Sequence, residues 1–252
     1  MDDIEASIVE NRNIVLNYFF LKLKLSKLMG TIRPGQFVML KVPDTDIFLR
    51  RPFSIYDYGK ETITIIYRVV GKGTESLSKA EKNEKTFVLG PLGNGFNITK
   101  RDEYIIIAGG IGVAGVHLLI KILKDKARIF YGCSNKEELK VVDDILRYSP
   151  AISTLDGSRG FKGDIVTFFR KERKTLKGKD REIFTCGPEG MIRNIRKAIE
   201  KKKTPCQVLL EERMACGLGL CFGCAVKTID EKEPYKRACK EGPVFDLWQT
   251  SL

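Results

Sequence analysis

The sequence predicts three successive units: a small antiparallel β-barrel, an α/β unit built on a parallel sheet, and a short cysteine-rich unit whose fold depends on metal. Three observations carry that reading. Apolar residues repeat with period two as far as about residue 98, strand-like and helix-like stretches alternate from about residue 100, and four cysteines crowd into the closing segment. The boundaries fall at 1–99, 100–210 and 211–252.

In the first unit Leu21, Leu23 and Leu25 alternate with Lys22, Lys24 and Ser26, and Ile63, Ile65, Tyr67 and Val69 alternate with Thr62, Thr64, Ile66 and Arg68. Pro34-Gly35, Pro43, Gly71, Gly73 and Gly90-Pro91 punctuate these runs, and no long helical pattern interrupts them. Short strands with frequent turns make a small antiparallel barrel. Arg50-Arg51-Pro52-Phe53-Ser54 opens one strand. An Arg there could hold a phosphate through charge-assisted hydrogen bonds, and an exposed basic pair is the plainer alternative.

The second unit begins with an apolar strand at 104–108, a turn Gly109-Gly110-Ile111-Gly112 and a helix over Val113–Leu123. Strands at 127–132, 151–155, 182–185 and 207–210 then alternate with helices at 137–146, 164–173 and 191–202, the last strand closing the sheet. Alternation of this kind makes a parallel sheet covered on both faces, with ligands at the carboxyl ends of its strands. Gly110-x-Gly112-x-x-Gly115 matches the spacing that lets backbone approach a dinucleotide phosphate at a helix N-terminus. The acidic ribose clamp expected after the next strand is missing, since that strand runs into Tyr131-Gly132-Cys133-Ser134-Asn135. No Arg stands there for a 2′-phosphate, which favours NAD over NADP, with Lys136 keeping the choice open. Thr185-Cys186-Gly187-Pro188-Glu189-Gly190-Met191 is a second strand–turn–helix junction. It sets Cys186 either within reach of a ligand or in the core as a small hydrophobe. The single His117 reads as structural, and Cys133 and Cys206 as core positions.

The third unit carries Cys216, Cys221, Cys224 and Cys239 in the pattern C-x4-C-x2-C-x14-C. Three thiolates on one loop and a fourth from farther on are the spacing of a plant-type 2Fe-2S site, and the glycines between them let the loop curl around a cluster. Structural zinc uses two separated pairs with short knuckles, and disulfides belong to secreted chains; both are weaker fits to this pattern.

Composition narrows the classes further. With 43% apolar and 30% charged residues the 252-residue chain is globular in character, and no apolar run approaches the ~20 residues of a membrane span. The acidic start Met1-Asp2-Asp3 is unlike a signal peptide, so the expected address is the cytoplasm. A net charge of +12, from 44 Lys and Arg against 32 Asp and Glu, raises nucleic acid as a partner. The basic residues are scattered, concentrating only at 170–181 and Lys201-Lys202-Lys203, with no aromatic interleaving, and the expectation is neither nucleic-acid nor membrane binding.

Taken in order, R-P-F-S (Arg51 to Ser54), G-P-L-G-N-G-F (Gly90 to Phe96), G-G-I-G, C-G-P-E-G-M and the cysteine pattern resemble the ferredoxin-reductase family of flavoproteins over nearly the whole chain. More narrowly, the segment from Met214 through Asp246 resembles the electron-transfer subunits of two-subunit, NAD-linked dihydroorotate dehydrogenases. The resemblance implies an FAD barrel, an NAD domain and a 2Fe-2S domain. It implies FAD contacts from Arg51, Pro52, Phe53, Ser54, Ile66, Tyr67 and Arg68, with Gly73 and Thr74 on the pyrophosphate. Gly109, Gly110, Gly112, Cys186, Gly187, Pro188 and Glu189 would border the nicotinamide, Cys186 as the candidate catalytic residue, and the four cysteines would ligate the cluster. Phe53 stands where the family usually carries Tyr, which removes a hydroxyl. The implied partner is an FMN-containing catalytic subunit that oxidises dihydroorotate in pyrimidine synthesis, in a heterotetramer of two of each chain. Phe222 and Trp248 are candidate interface aromatics. Two alternatives stay open: a reductase subunit of a ferredoxin:NADP or sulfide-dehydrogenase complex, and a zinc-stabilised or redox-sensing module without turnover.

Overall fold

The computed structural model describes residues 3–43, 46–173 and 180–252, so part of the basic stretch at 170–181 lies outside the described residues. The chain begins with seven strands: β1 (Asp3–Val15), β2 (Tyr18–Leu25), β3 (Phe37–Leu40), β4 (Arg51–Ser54), β5 (Asp57–Tyr58), β6 (Thr62–Arg68) and β7 (Lys85–Leu92). They form one antiparallel sheet in the order β4-β3-β7-β1-β2-β6-β5. The alternation read from the sequence is real, with Leu21, Leu23, Ile63 and Ile65 all at 0% exposure inside the barrel. The barrel closes through the chain itself. After pairing with β3, the β4 segment continues so that Ile55 donates its N–H to the Gln36 carbonyl and Tyr56 donates to the Thr64 carbonyl of β6.

One short helix, α1 (Lys72–Lys79), stands where the sequence showed only turn glycines. Its start is held by the Thr74 hydroxyl, which accepts from the Val70 and Gly71 N–H groups. Leu77 is its single buried apolar side chain, too sparse a signal to register as a helical period.

The second unit follows the predicted alternation: β8 (Glu103–Gly109), α2 (Val113–Leu123), β9 (Ala127–Cys133), β10 (Ala151–Thr154), β11 (Phe161–Lys162), α3 (Ile165–Glu172), β12 (Arg181–Cys186), α4 (Glu189–Ile199) and β13 (Cys206–Leu209). These strands pair in parallel in the order β11-β10-β9-β8-β12-β13. The helix predicted at 137–146 is instead a 3-10 segment, Lys136–Tyr148, kinked at Val142 (φ −123°, ψ 19°).

The cysteine segment is not free-standing. It contributes a hairpin of β14 (Ala225–Lys227) and β15 (Tyr235–Arg237), and then β16 (Val244–Asp246), which adds antiparallel to β13 and extends the nucleotide-type sheet by one strand. The sheet therefore closes one strand later than the sequence indicated, and the boundary drawn at 210 is crossed by backbone hydrogen bonds. Asn94 of the barrel turn donates from its backbone to the Gly242 carbonyl and from its side chain to the Glu241 carbonyl, fastening the same limb to the barrel. Burial makes the units continuous. One core joins Tyr18, Tyr56 and Ile66 of the barrel to Val113, Val116 and Tyr131, and another joins Phe37 and Met39 to Ile105, Cys224 and Cys239. Among the described residues no helix is long and apolar enough to cross a membrane.

Candidate functional site

Two cavities meet where the three units join. The first, about 450 Å³, is walled by the barrel strands β4 and β6 through Arg51, Pro52, Phe53, Ser54, Ile66, Tyr67 and Arg68, and by Thr74 of α1. Every sequence-nominated flavin residue except Gly73 lines it directly. Gly73 lies behind it: a Cβ there would sit 2.5 Å from Nε of Arg51, so the missing side chain is what lets the guanidinium lie across the helix start. The two neighbouring arginines have separate duties. Arg50 forms a bidentate pair with Asp3 (2.9 and 2.6 Å), whereas Arg51 stands on the cavity wall. Thr74 lines the cavity, but its hydroxyl is committed to the α1 entry, also donating to the Gly71 carbonyl at 3.0 Å. The far wall of this cavity comes from Ile111 and Ala114 at the head of α2, and from Leu209 to Glu212 at the end of β13.

The second cavity, about 590 Å³, lies at the carboxyl ends of β8 and β12, as a parallel sheet dictates. It is lined by Gly109 to Gly112 and Gly187 to Glu189 as expected, by Arg68, which the sequence placed on the flavin side, and by Arg193 and the β14 residues Ala225 to Lys227, which sequence reasoning missed. Gly112 is there for closeness: a Cβ would lie 2.5 Å from the Cys186 carbonyl oxygen, so only glycine lets the two ligand-facing turns touch. Cys186 does not present its thiol to this cavity. Its sulfur points toward Gly115 and Leu209, is fully buried, and is held well above the ordinary thiol range by that burial and by the nearby Glu211 carboxyl. The residue shapes the site through its backbone, because the inward face of the strand's last residue is already taken by α2.

Glu211 and Glu212 belong to both cavities. Glu211 is reached by solvent through the opening yet ringed by protein; that desolvation raises its carboxyl, and the Arg68 guanidinium pulls it partly back. Glu212 is raised by desolvation and then by the Glu189 carboxylate. The readable signal for the pair was position alone, directly after a parallel strand at its carboxyl end.

The cysteine loop folds against the barrel. Gly217, at φ +67°, packs so close that a Cβ would fall 2.6 Å from Cγ of Met39 on β3. The four sulfurs group as two pairs: those of Cys224 and Cys239 lie 3.3 Å apart, and the Cys221 side chain lies beside that of Cys216. Among the described residues no three Cys, His, Asp or Glu side chains converge on a single ion. Backbone N–H groups already aim at the sulfurs, from Leu218 to Cys216 (3.3 Å), Gly219 to Cys239 (3.1 Å) and Gly223 to Cys221 (3.4 Å). Two ligand pairs with N–H donors around them suit a two-iron cluster better than one tetrahedral ion. Burial and the adjoining Cys224 sulfur push the Cys239 thiol up to about 12, so metal binding there must displace a proton. Arg237 braces the loop, donating to the Gly219 carbonyl at 2.6 Å, pairing with Glu241, and lying 4.7 Å above the Phe222 ring.

An antiparallel barrel, a parallel nucleotide-type sheet and a plant-type cysteine loop around two adjoining cavities define a ferredoxin-reductase-type oxidoreductase. Comparison with known proteins narrows the class. The profile of the iron-sulfur cluster binding domain of dihydroorotate dehydrogenase B matches residues 211–251. The dihydroorotate dehydrogenase B (NAD(+)) electron transfer subunit of Clostridium acetobutylicum is 42% identical over 217 residues, covering 85% of this chain and 84% of that protein. The electron transfer subunit homolog of Aquifex aeolicus is 39% identical, with 99% of each chain covered. The chain therefore belongs to the family of dihydroorotate dehydrogenase B electron transfer subunits. Among solved structures, one of an NADH-dependent reduced ferredoxin-NADP oxidoreductase superposes with a TM-score of 0.83 at 26% identity, over 98% of this chain and 89% of that one. Phthalate dioxygenase reductase shares the fold at a TM-score of 0.67 and 16% identity, over 90% of this chain and 87% of that one.

Proposed function

We infer that this chain carries electrons between NAD and a separate catalytic subunit that oxidises dihydroorotate in pyrimidine synthesis, with FAD in the barrel cavity, nicotinamide in the adjoining one, and a 2Fe-2S cluster on Cys216, Cys221, Cys224 and Cys239. Bound flavin supplies the exchange between two-electron hydride chemistry and the one-electron capacity of an iron–sulfur cluster. The observation that carries the reading is the shared wall: Arg68, Ile111 and Leu210 to Glu212 line both cavities, so ligands in the two are neighbours.

The chain's own residues bind, orient and exclude water. Arg51 and the backbone at the start of α1 meet the anionic pyrophosphate, with Gly73 giving the guanidinium its room. The half-buried β4 and largely buried β6 walls would fix the ring system, with Phe53 beside it lacking a hydroxyl. Gly109 to Gly112 and Gly187 to Glu189 bring backbone up to the nicotinamide half. Gly217 sets the cluster loop on β3, the strand that pairs with cavity-lining β4. The partner carries FMN and forms a tetramer of two of each chain. A second reading, a subunit of a ferredoxin:NADP-type complex, draws on the 0.83 structural match, and partner identity separates the two.

The test is anaerobic purification with and without the dihydroorotate-oxidising chain. Expected are iron and acid-labile sulfide in equal amounts, FAD at the level of the chain, bleaching by NADH, and dihydroorotate-dependent NAD+ reduction only in the complex. A colourless zinc protein overturns the reading, and co-purification with a ferredoxin-dependent chain instead moves it to the second.

A further inference from the structure

The one histidine in the chain sits outside both cavities, at the seam between barrel and nucleotide sheet. His117 is 1% exposed on α2 and its ring lies flat on Tyr56, centroids 3.7 Å apart and planes 11° from parallel. Nδ1 is 2.7 Å from the Tyr56 carbonyl oxygen and Nε2 is 2.7 Å from a carboxylate oxygen of Asp144 on the 3-10 segment. The other Asp144 oxygen accepts from the Tyr56 hydroxyl at 2.5 Å. A carbonyl only accepts, so the ring donates from Nδ1 to Tyr56, while Nε2 stands at ion-pair distance from Asp144 without an aligned hydrogen bond, and the β4–β5 link, α2 and the 3-10 segment close into a single circuit of contacts. Burial raises the Asp144 carboxyl, but the adjacent His117 ring and the Tyr56 hydroxyl outweigh it and hold the group below its usual range. A second rung lies one helical turn on, where Lys121 pairs with Asp57 at 2.7 and 2.8 Å.

What the circuit joins gives it a job. Tyr56 follows the cavity-lining strand β4 by two residues, at the point where the barrel closes. His117 follows Ala114, which lines the first cavity, by about 4.5 Å of helix, and α2 continues directly from the Gly110–Gly112 turn of the second. Both connections are short and stiff, so the distance from β4 to the glycine turn is set by the ring of His117. We propose that His117, with Asp144, is a positioning residue for hydride transfer, holding the turn that borders the nicotinamide against the strand that borders the flavin. This rests on the reading of the two cavities given above. Neither residue touches the reacting atoms. Their effect works through geometry, where a misplacement of about 1 Å costs on the order of 100-fold in rate.

The experiment uses the holoprotein, with His117→Gln and Asp144→Ala, the second at a side chain that is 43% exposed and so the milder of the two. Rapid mixing with NADH reads the first-order bleaching of flavin, and the long-wavelength charge-transfer absorbance of the nicotinamide–flavin pair reads their stacking. Expected is a fall of about 10- to 100-fold in the bleaching rate with weakened charge-transfer absorbance, while FAD content, the iron–sulfur spectrum and NAD affinity hold. A purely structural role lowers the melting temperature and leaves both optical readouts alone, which overturns the proposal. If His117→Gln loses flavin, Asp144→Ala decides. Wild-type protein that holds FAD yet is not bleached by NADH overturns the reading of the cavities and the proposal with it; bleaching that is equal in wild type and variants overturns the proposal alone.

Discussion

At the scale of single residues, the cavity proposed for flavin is shaped by where the Arg51 guanidinium lies, one nitrogen donating to the Leu49 carbonyl and the rest on the wall. Its neighbour Arg50 is neutralised by Asp3, and Gly73 leaves the space in which the Arg51 guanidinium lies. Gly73→Ala places a methyl 2.5 Å from Nε and pushes the charge off the wall, while the helical backbone at that position accepts alanine and gains up to about 1 kcal/mol of helix propensity. A charge-assisted hydrogen bond is worth about 1.5–3 kcal/mol, so FAD affinity falls roughly 10- to 100-fold without a loss of thermal stability. Fluorescence titration of flavin-stripped protein measures it, and an unchanged dissociation constant would show that Arg51 does not hold the phosphates. The same scale marks the limit of motif reading. R-P-F-S lies on a cavity wall, yet the motif could not say that Thr74 spends its hydroxyl on its own helix, nor which way the Cys186 sulfur points. Those facts depend on neighbours distant in sequence, Leu209 and Gly115 in the case of Cys186.

At the scale of elements, legibility followed length and capping. α3 was readable because Asp164 caps it, its carboxylate accepting from the Val166 and Thr167 N–H groups at 3.0 Å each and from the Thr167 hydroxyl at 2.6 Å. Desolvation raises this carboxyl, but those donors outweigh it and hold it below its usual value. A depressed folded pKa contributes stability above the unfolded value, and that contribution disappears as pH falls through the folded one. Asp164→Ala should cost about 1 kcal/mol at neutral pH, and Asp164→Asn should keep most of the cap while removing its pH dependence. Urea midpoints at pH 7 and pH 3 check both; equal acid sensitivity in wild type and the Asn variant would assign the effect to other carboxylates. The segment Lys136–Tyr148 was misread for a physical reason. Its apolar positions Leu139, Val142 and Ile145 suit a helix face, but Val142 leaves helical geometry and the following stretch carries Asp144 to the seam. β11 and β16 were invisible because two or three residues cannot establish a period.

At the scale of the whole molecule, the sulfur loop is the part left facing outward. Cys224 and Cys239 are buried in the core shared with Met39 and Phe37, whereas Cys221 is exposed and its neighbours Leu218, Leu220 and Phe222 are 42%, 77% and 54% exposed. Trp248, the other aromatic nominated for an interface, is instead tied inward, donating to the Thr204 carbonyl at 2.9 Å beneath the Arg196 guanidinium. An apolar rim around the exposed cysteine proposed as a cluster ligand is where a one-electron partner would make its closest approach, and burying it would exclude water from both. Leu220 tests this cleanly, since at 77% exposure it contributes little to the fold, whereas Phe222 holds a positive φ of 56° under Arg237 and its replacement changes the loop itself. Leu220→Asp should weaken association with the catalytic subunit by ten-fold or more, the scale of an interface hot spot of about 2 kcal/mol, with the iron–sulfur spectrum and NADH-driven bleaching intact. Titration of the two purified chains against each other gives the constant. Undiminished affinity would put the contact on another face and would leave the exposed Cys221 unshielded in the complex.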